Sequence, residues 1–435
     1  MVLKMRKMKD SGIEWIGEIP EGWEITRLKH LADFEPTCDT SYLTDESKIT
    51  YTPMECVKNG GFENRSALYG NLSHTLTPFQ NGDIAMAKVT PCFENGNIAI
   101  MDNLFSGFGL GSSELFIFRP KSISTRYFFY WLQNKAFVAR ACSTMTGTGG
   151  LKRISPSFIR NCPVHCPSTD EQTKISDYLD AKCSKIDDLL TSVHASIEEY
   201  KKLKQAVITQ AVTKGVRGER EMKDSGVEWI GKIPGEFDPV QLKFFCKLIT
   251  DGTHFSPTTV ENGWPYITAG DVHGIGLDYN SAKRISEEDF QLLVAQGCQP
   301  LKGDVLLVKD GATTGRVGFV DSDTPCVILS SVAMLRPADN TDGHYLMYLL
   351  ASDFLQKQIL VSMAGSAMPR TTLTKLTKYI GLLPPLHEQK EIANYLDAKC
   401  AKIDRLIAKK EQLVKELESY KKSLIYEVVT GKREV

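Results

Sequence analysis

Five short stretches of the 435-residue chain carry residue types that could do chemistry. Gly107-Phe108-Gly109-Leu110-Gly111 is glycine-rich, as loops that cradle dinucleotides or S-adenosylmethionine are, but nothing around it supports such a fold. Gly311-Ala312-Thr313-Thr314-Gly315-Arg316 lacks the Gly-Lys-Ser/Thr ending of an ATP-binding phosphate loop. Methyl transfer to a base amine calls for Asn/Asp-Pro-Pro-aromatic, whereas Pro384-Pro385 lies between Leu383 and Leu386. Glu46-Ser47-Lys48 is a lone Glu-x-Lys triplet of a kind that chance supplies in a chain with 24% charged residues. Cys162, His165 and Cys166 resemble half of a zinc site, yet no second ligand pair stands at finger-like spacing. No nucleophile, base and orienting group form a set. The expectation is a protein without catalysis, bound cofactor or metal.

Hydrophobic residues make up 42% of the chain, enough to bury the cores of two to four ordinary domains. No run of eighteen apolar residues is present, and the basic start Met1–Lys9 leads into Asp10-Ser11-Gly12 instead of an apolar signal core. Eleven scattered cysteines without Cys-x-x-Cys spacing fit reduced thiols. A cytoplasmic location with no membrane association is expected. The net charge of −1 weighs slightly against nucleic acid, although local placement of Lys and Arg decides that question.

The chain repeats itself. The segment Met8–Pro20, with Ser11-Gly12-Ile13-Glu14-Trp15-Ile16-Gly17, returns 214 positions on as Met222–Pro234, with Ser225-Gly226-Val227-Glu228-Trp229-Ile230-Gly231. Glu171-Gln172, Tyr178–Cys183 and Ile186-Asp187 return 217 positions on as Glu388-Gln389, Tyr395–Cys400 and Ile403-Asp404. The bodies between, roughly 21–165 and 235–383, share only a skeleton. Gly82-Asp83 answers to Gly303-Asp304, Ser112-Ser113 to Ser330-Ser331, Arg119-Pro120 to Arg336-Pro337, and Met145-x-Gly147 to Met363-x-Gly365. Frames kept alike around bodies that differ suggest two copies that dock the same kind of partner while reading different things.

Glu171 to Lys214 reads as a single helix with a seven-residue seam. Positions 186, 193, 200 and 207 form one row and 189, 196, 203 and 210 the other, Ser196 and Gln210 being exceptions. The second copy carries Ile403, Leu406, Leu413, Leu417, Tyr420 and Leu424, with Lys410 and Glu427 as exceptions. Gly215 and Gly431 stop the helices, each about 65 Å long at 1.5 Å per residue. The spacing predicts an antiparallel pair with the bodies at opposite ends of a pseudo-twofold. The bodies are expected to be mixed α/β, with strands at Asp83–Val89, Leu115–Arg119, Val305–Lys309 and Val332–Leu335 and helices at Thr125–Ala141 and His344–Ile359.

The Ser-Gly-x-Glu-Trp-Ile-Gly-x-Ile-Pro entry, the Pro-x-x-x-Glu-Gln exits at Pro167–Gln172 and Pro384–Gln389, and the long helices together resemble the specificity subunit of type I restriction–modification systems. The resemblance spans nearly the whole chain. It implies target recognition domains at 1–165 and 221–383 and spacer helices at 166–220 and 384–435, two globular domains separated by an antiparallel two-helix coiled coil. Each domain would read one half of a split, asymmetric site on double-stranded DNA. The helices would dock two methyltransferase subunits. Motor-nuclease (restriction) subunits would complete the assembly, with S-adenosylmethionine, ATP and Mg held on the partners. A two-domain scaffold binding only other proteins is the alternative.

Readers of base edges and phosphates are chiefly Arg, Lys, Asn, Gln, Ser and Thr on loops held by a rigid frame. In the first body this selects Lys88 and Thr90 and the stretch Gly147, Gly149, Lys152 and Arg153, whose glycines would let amides approach phosphates. In the second body it selects Lys309, Thr313, Arg316, Gly365, Ser366, Arg370 and Thr371, with Thr253 and His254 on a further loop.

Overall fold

The computed structural model describes residues 6–58, 60–73, 75–148, 150–273, 276–363 and 369–435. The chain divides into two compact units, residues 1–193 with 412–435 and residues 194–411. A long helix, Thr169–Lys214, runs through the boundary at 193/194, and a second, Leu386–Val429, through that at 411/412. Each unit therefore holds one body, the start of its own helix and the end of the other copy's helix. No helix among the described residues is long and apolar enough to cross a membrane.

In the first unit, antiparallel strands run in the order Ile98–Met101, Asp83–Ala87, Leu115–Pro120, Ala32–Phe34. The second unit repeats that order as Val317–Phe319, Val305–Val308, Val332–Pro337, Cys246–Asp251. The shared skeleton of the sequence is what closes this sheet. Arg119 Nε and Nη2 each donate to the buried Asp83 at 2.8 Å, and Asp83 also accepts from the amide of Gln80. Arg336 donates to the buried Asp304 at 3.0 and 2.8 Å, and Asp304 accepts from Leu301. A buried carboxylate needs such a partner, so Gly-Asp and Arg-Pro persist where the rest drifts.

A second four-stranded sheet in each body includes one parallel couple, Lys48–Thr52 with Phe108–Gly111 and Trp264–Ile267 with Val327–Ile328. Gly109 lies in that strand, where a Cβ would stand 2.2 Å from the Phe79 ring. The glycine-rich run is thus strand packing, which accounts for its failure as a cofactor loop. The helices expected at Thr125–Ala141 and His344–Ile359 are each broken in two, as Thr125–Trp131 with Lys135–Ser143 and Gly343–Ala351 with Asp353–Met363. The side chain of Asn134 caps the restart by accepting from Phe137, which apolar periodicity does not reveal.

The frames are internal struts. In the first unit the Met8–Asp10/Glu18–Pro20 hairpin buries Ile16, Ile19 and Trp23 against Ile425, Val428 and Val429 of the second helix. Trp23 Nε1 donates to Glu171 at 2.9 Å, Arg6 pairs with the same carboxylate, and its guanidinium lies over the indole. The second unit repeats the cluster with Phe237 under Arg220, Arg220 against Glu388 at 2.6 Å, and Ile208, Ala211 and Val212 in the core. Gln172 accepts from the amide of Ser124 and Gln389 from that of Asp342, both at 2.8 Å. The Glu-Gln exits therefore fasten each helix start to its own body. This packing gives the frames an internal reason to stay alike, beside the shared partner that the sequence suggests.

The seam differs from the expectation in one row. Ile186 and Val193 are buried as expected, but the second row is Cys183, Leu190, Ile197 and Ala211, one residue after 189/196/203. Leu189 and Leu203 are exposed, as are Leu413 and Tyr420 on the second helix, where Cys400, Val414 and Val428 are packed instead. Adjacent leucines at 189 and 190 made both rows plausible, and tertiary packing selects 190.

Candidate nucleic-acid interface

In the first body, Lys88 directly follows the central strand Asp83–Ala87. Its amide donates to the Glu114 carbonyl and its carbonyl accepts from Ile154, both at 3.0 Å. Two residues on, the Thr90 amide donates to the Lys152 carbonyl, and Thr90 Oγ1 accepts from the Lys152 amide while donating to Gly150 O at 3.0 Å. Gly150 and Lys152 are thereby stitched onto the strand end, and Arg153 pairs back with Thr146. Lys88 is half-buried, with its ammonium 5.3 Å from the Phe116 ring centre. Arg153 Nε and Nη2 hold both oxygens of Glu114 at 2.9 and 2.7 Å, and that pairing keeps the Glu114 carboxyl below its ordinary range. Lys152 is exposed, with no ion-pair partner among the described residues. Gly147 sits at φ +150°, and a Cβ there would meet the Leu151 carbonyl at 2.2 Å. That close approach, not access for a phosphate, is what requires glycine at 147. Gly149 lies outside the described residues.

The second body builds the same stitch from other residues. The Gly311 amide donates to Pro369 O and the Thr371 amide to Lys309 O, both at 2.9 Å. Arg370 Nε lies 2.9 Å from Asp310, with the side chain 60% exposed. Arg316 is exposed, and no partner for its guanidinium is found among the described residues. His254 is exposed with Nε2 4.0 Å from Asp251, and Thr313 is half-buried, its carbonyl accepting from the Arg316 amide. Gly365 and Ser366 lie outside the described residues.

Three candidates are not presented at the surface. Lys309 is only 3% exposed, with Nζ between Asp310 at 2.8 Å and Asp251 at 3.3 Å, so its charge is already spent. Thr371 is fully buried with its hydroxyl 2.6 Å from that of Tyr379. Thr253 is buried, its amide donating to Ile328 O and its Oγ1 accepting from Phe255. Conversely, the carboxylates Glu114 and Asp310, together with Asp251 of the His254 loop, set the posture of these cations, a role that residue type alone does not reveal. Asp310 directly follows Lys309 and offered a signal, whereas Glu114 reaches Arg153 across 39 residues and offered none.

Cys162, His165 and Cys166 serve the core. His165 Nε2 donates to the Val429 carbonyl at 2.7 Å, its ring stacks on Trp23, and burial pushes its pKa down to about 4. Burial pushes both thiols up to about 12. No group of three or more His, Cys, Asp or Glu among the described residues is placed to hold a metal ion.

Two mixed α/β bodies, each with a loop stitched beside a central strand end and fastened to a long helix, define a duplicated recognition module. Residues 20–199 and 234–418 both match the family described as type I restriction modification DNA specificity domain. The chain belongs to that family and carries two copies of its domain. It is 34% identical over 196 residues to the type I restriction enzyme EcoAI specificity subunit of Escherichia coli, a match covering 44% of this chain. That match spans 33% of the EcoAI subunit, and the corresponding match to the EcoEI subunit spans 27% of it. The MjaVIII specificity subunit of Methanocaldococcus jannaschii is 24% identical over 99% of this chain and 98% of its own. A solved chain from a study of complex assembly in the type I R-M system shares the fold, with a TM-score of 0.70, 17% identity, and coverage of 95% of this chain and 99% of that one.

Proposed function

We propose that the chain is the specificity subunit of a type I restriction–modification complex and performs no catalysis of its own. Each body reads one half of a bipartite, asymmetric site on double-stranded DNA. The long helices dock two methyltransferase subunits and set the gap between the half-sites. Restriction subunits complete the assembly, and S-adenosylmethionine, ATP and Mg act on the partners. Such a complex works in the cytoplasm.

The observation that carries this reading is the same cation-bearing loop on two divergent bodies, at 146–153 and 369–371, stitched by equivalent backbone bonds to equivalent strand ends. Rigid strands presenting basic loops suit base and phosphate contacts. The test exchanges residues 236–382 for the corresponding body of a relative and maps methylated sites in cells that also express the methyltransferase partner. One half of the target should change and the other stay. Changes in both halves, or none, would overturn the two-reader reading, and a complex that retains partners but never retards DNA would favour a scaffold.

A further inference from the structure

We propose that Arg153 and Arg370 are phosphate anchors common to both bodies, and that the choice of bases falls to the unlike residues around them, Lys152 in the first body and Arg316 and His254 in the second. This rests on the DNA-reading proposal above and divides the labour within each site.

The two arginines occupy equivalent places. Arg153 bridges to Val89 and Arg370 to Asp310, the residues one step beyond Lys88 and Lys309. The residues just before them donate nothing alike, since Lys152 answers to Pro369. Each guanidinium is braced by a carboxylate, but the carboxylates come from different positions, Glu114 in one body and Asp310 in the other. An ion pair inherited unchanged would use the same position twice. The arginine is retained while its brace is reinvented, so the held arginine is the common feature. The pairs are surface pairs, with the arginine side chains 47% and 60% exposed, and such pairs contribute little to stability. Their effect is to fix posture. In Arg153 the Nε and one Nη2 hydrogen are taken by Glu114, which leaves Nη1 and the outer edge free for an anion. A residue shared by two bodies that read different sequences cannot supply the difference between them, whereas a phosphate contact carries no sequence information.

The experiment uses the full chain co-purified with its methyltransferase partner, titrated with a duplex containing the mapped methylation site and a duplex with both half-sites scrambled. Arg153→Ala and Arg370→Ala should each weaken both duplexes by a similar factor, about tenfold. The slope of log affinity against log salt should shrink by about 0.9 per arginine. Lys152→Ala and Arg316→Ala should instead reduce the ratio between the two duplexes. Glu114→Gln supplies a sign test. Removing a negative charge near DNA should tighten binding unless the carboxylate positions Arg153, so weaker binding to both duplexes is expected. An arginine variant that loses only the specific duplex, an unchanged affinity, or tighter binding by Glu114→Gln would overturn the division of labour. Failure of the parental complex to bind either duplex would overturn the DNA-reading proposal itself.

Discussion

Lys421 Nζ donates to both carboxylate oxygens of Asp187 at 2.6 and 2.8 Å, and the same two repeat positions meet again with the helices exchanged, Lys204 donating to Asp404 at 2.8 and 2.7 Å. In each unit the start of one long helix therefore runs antiparallel to the end of the other. The lysines are the more buried partners, Lys421 at 13% and Lys204 at 19% exposure. Lys421→Glu should cost about 1 kcal/mol and lower the Tm by about 2–4 °C. Asp187→Lys added to it should restore most of the loss. A double variant no better than the single one by thermal melting would show that the pair does not couple the helices.

Glu388 is fully buried against Arg220. Arg220→Ala removes the charge that compensates it and should cost about 3–5 kcal/mol, because a lone buried carboxylate is far worse than none. Arg220→Met with Glu388→Gln should recover much of that. Urea unfolding of the three variants decides, and an Arg220→Ala chain as stable as the parent would rule out this strut.

His165 makes the first unit sensitive to acid. Its pKa is about 4 in the folded chain against an ordinary 6.5, so the unfolded chain binds the extra proton between those values. Stability from the neutral ring is complete above pH 6.5 and is lost as pH falls toward 4, in all of the order of 3 kcal/mol at about 1.4 kcal/mol per pH unit. His165→Gln should flatten that part of the pH–stability curve. An equally steep fall in the variant would assign the effect elsewhere.

The helix register is open to a paired substitution. Ile197 is 6% exposed and Leu203 48%. Ile197→Asp buries a charge and should cost several kcal/mol, whereas Leu203→Asp should stay within about 0.5 kcal/mol. Chemical denaturation compares them directly. The opposite ranking would restore the seam at 189, 196 and 203.

The repeat, the two long helices with their glycine stops, the mixed α/β bodies and the family resemblance were legible in the sequence because each is a local or periodic signal. Residue spacing records a helix, and near-identity at a constant offset records a duplication. The sequence also singled out 146–153, where Gly, Lys and Arg cluster, and in the second body Gly365, Ser366, Arg370 and Thr371. Which cations in those loops are free was decided only in three dimensions. Lys88, Lys309, Arg153 and Arg370 look alike as letters. Yet Lys309 is enclosed by Asp251 and Asp310, Arg153 is held by Glu114 from a neighbouring strand turn, and Lys152 stands open. The choice of Leu190 over Leu189 for the seam and the use of the frames to clasp the other copy's helix end were likewise settled by tertiary contact. Charge pairing and burial depend on distances between residues far apart in the chain, and periodicity carries no record of those distances.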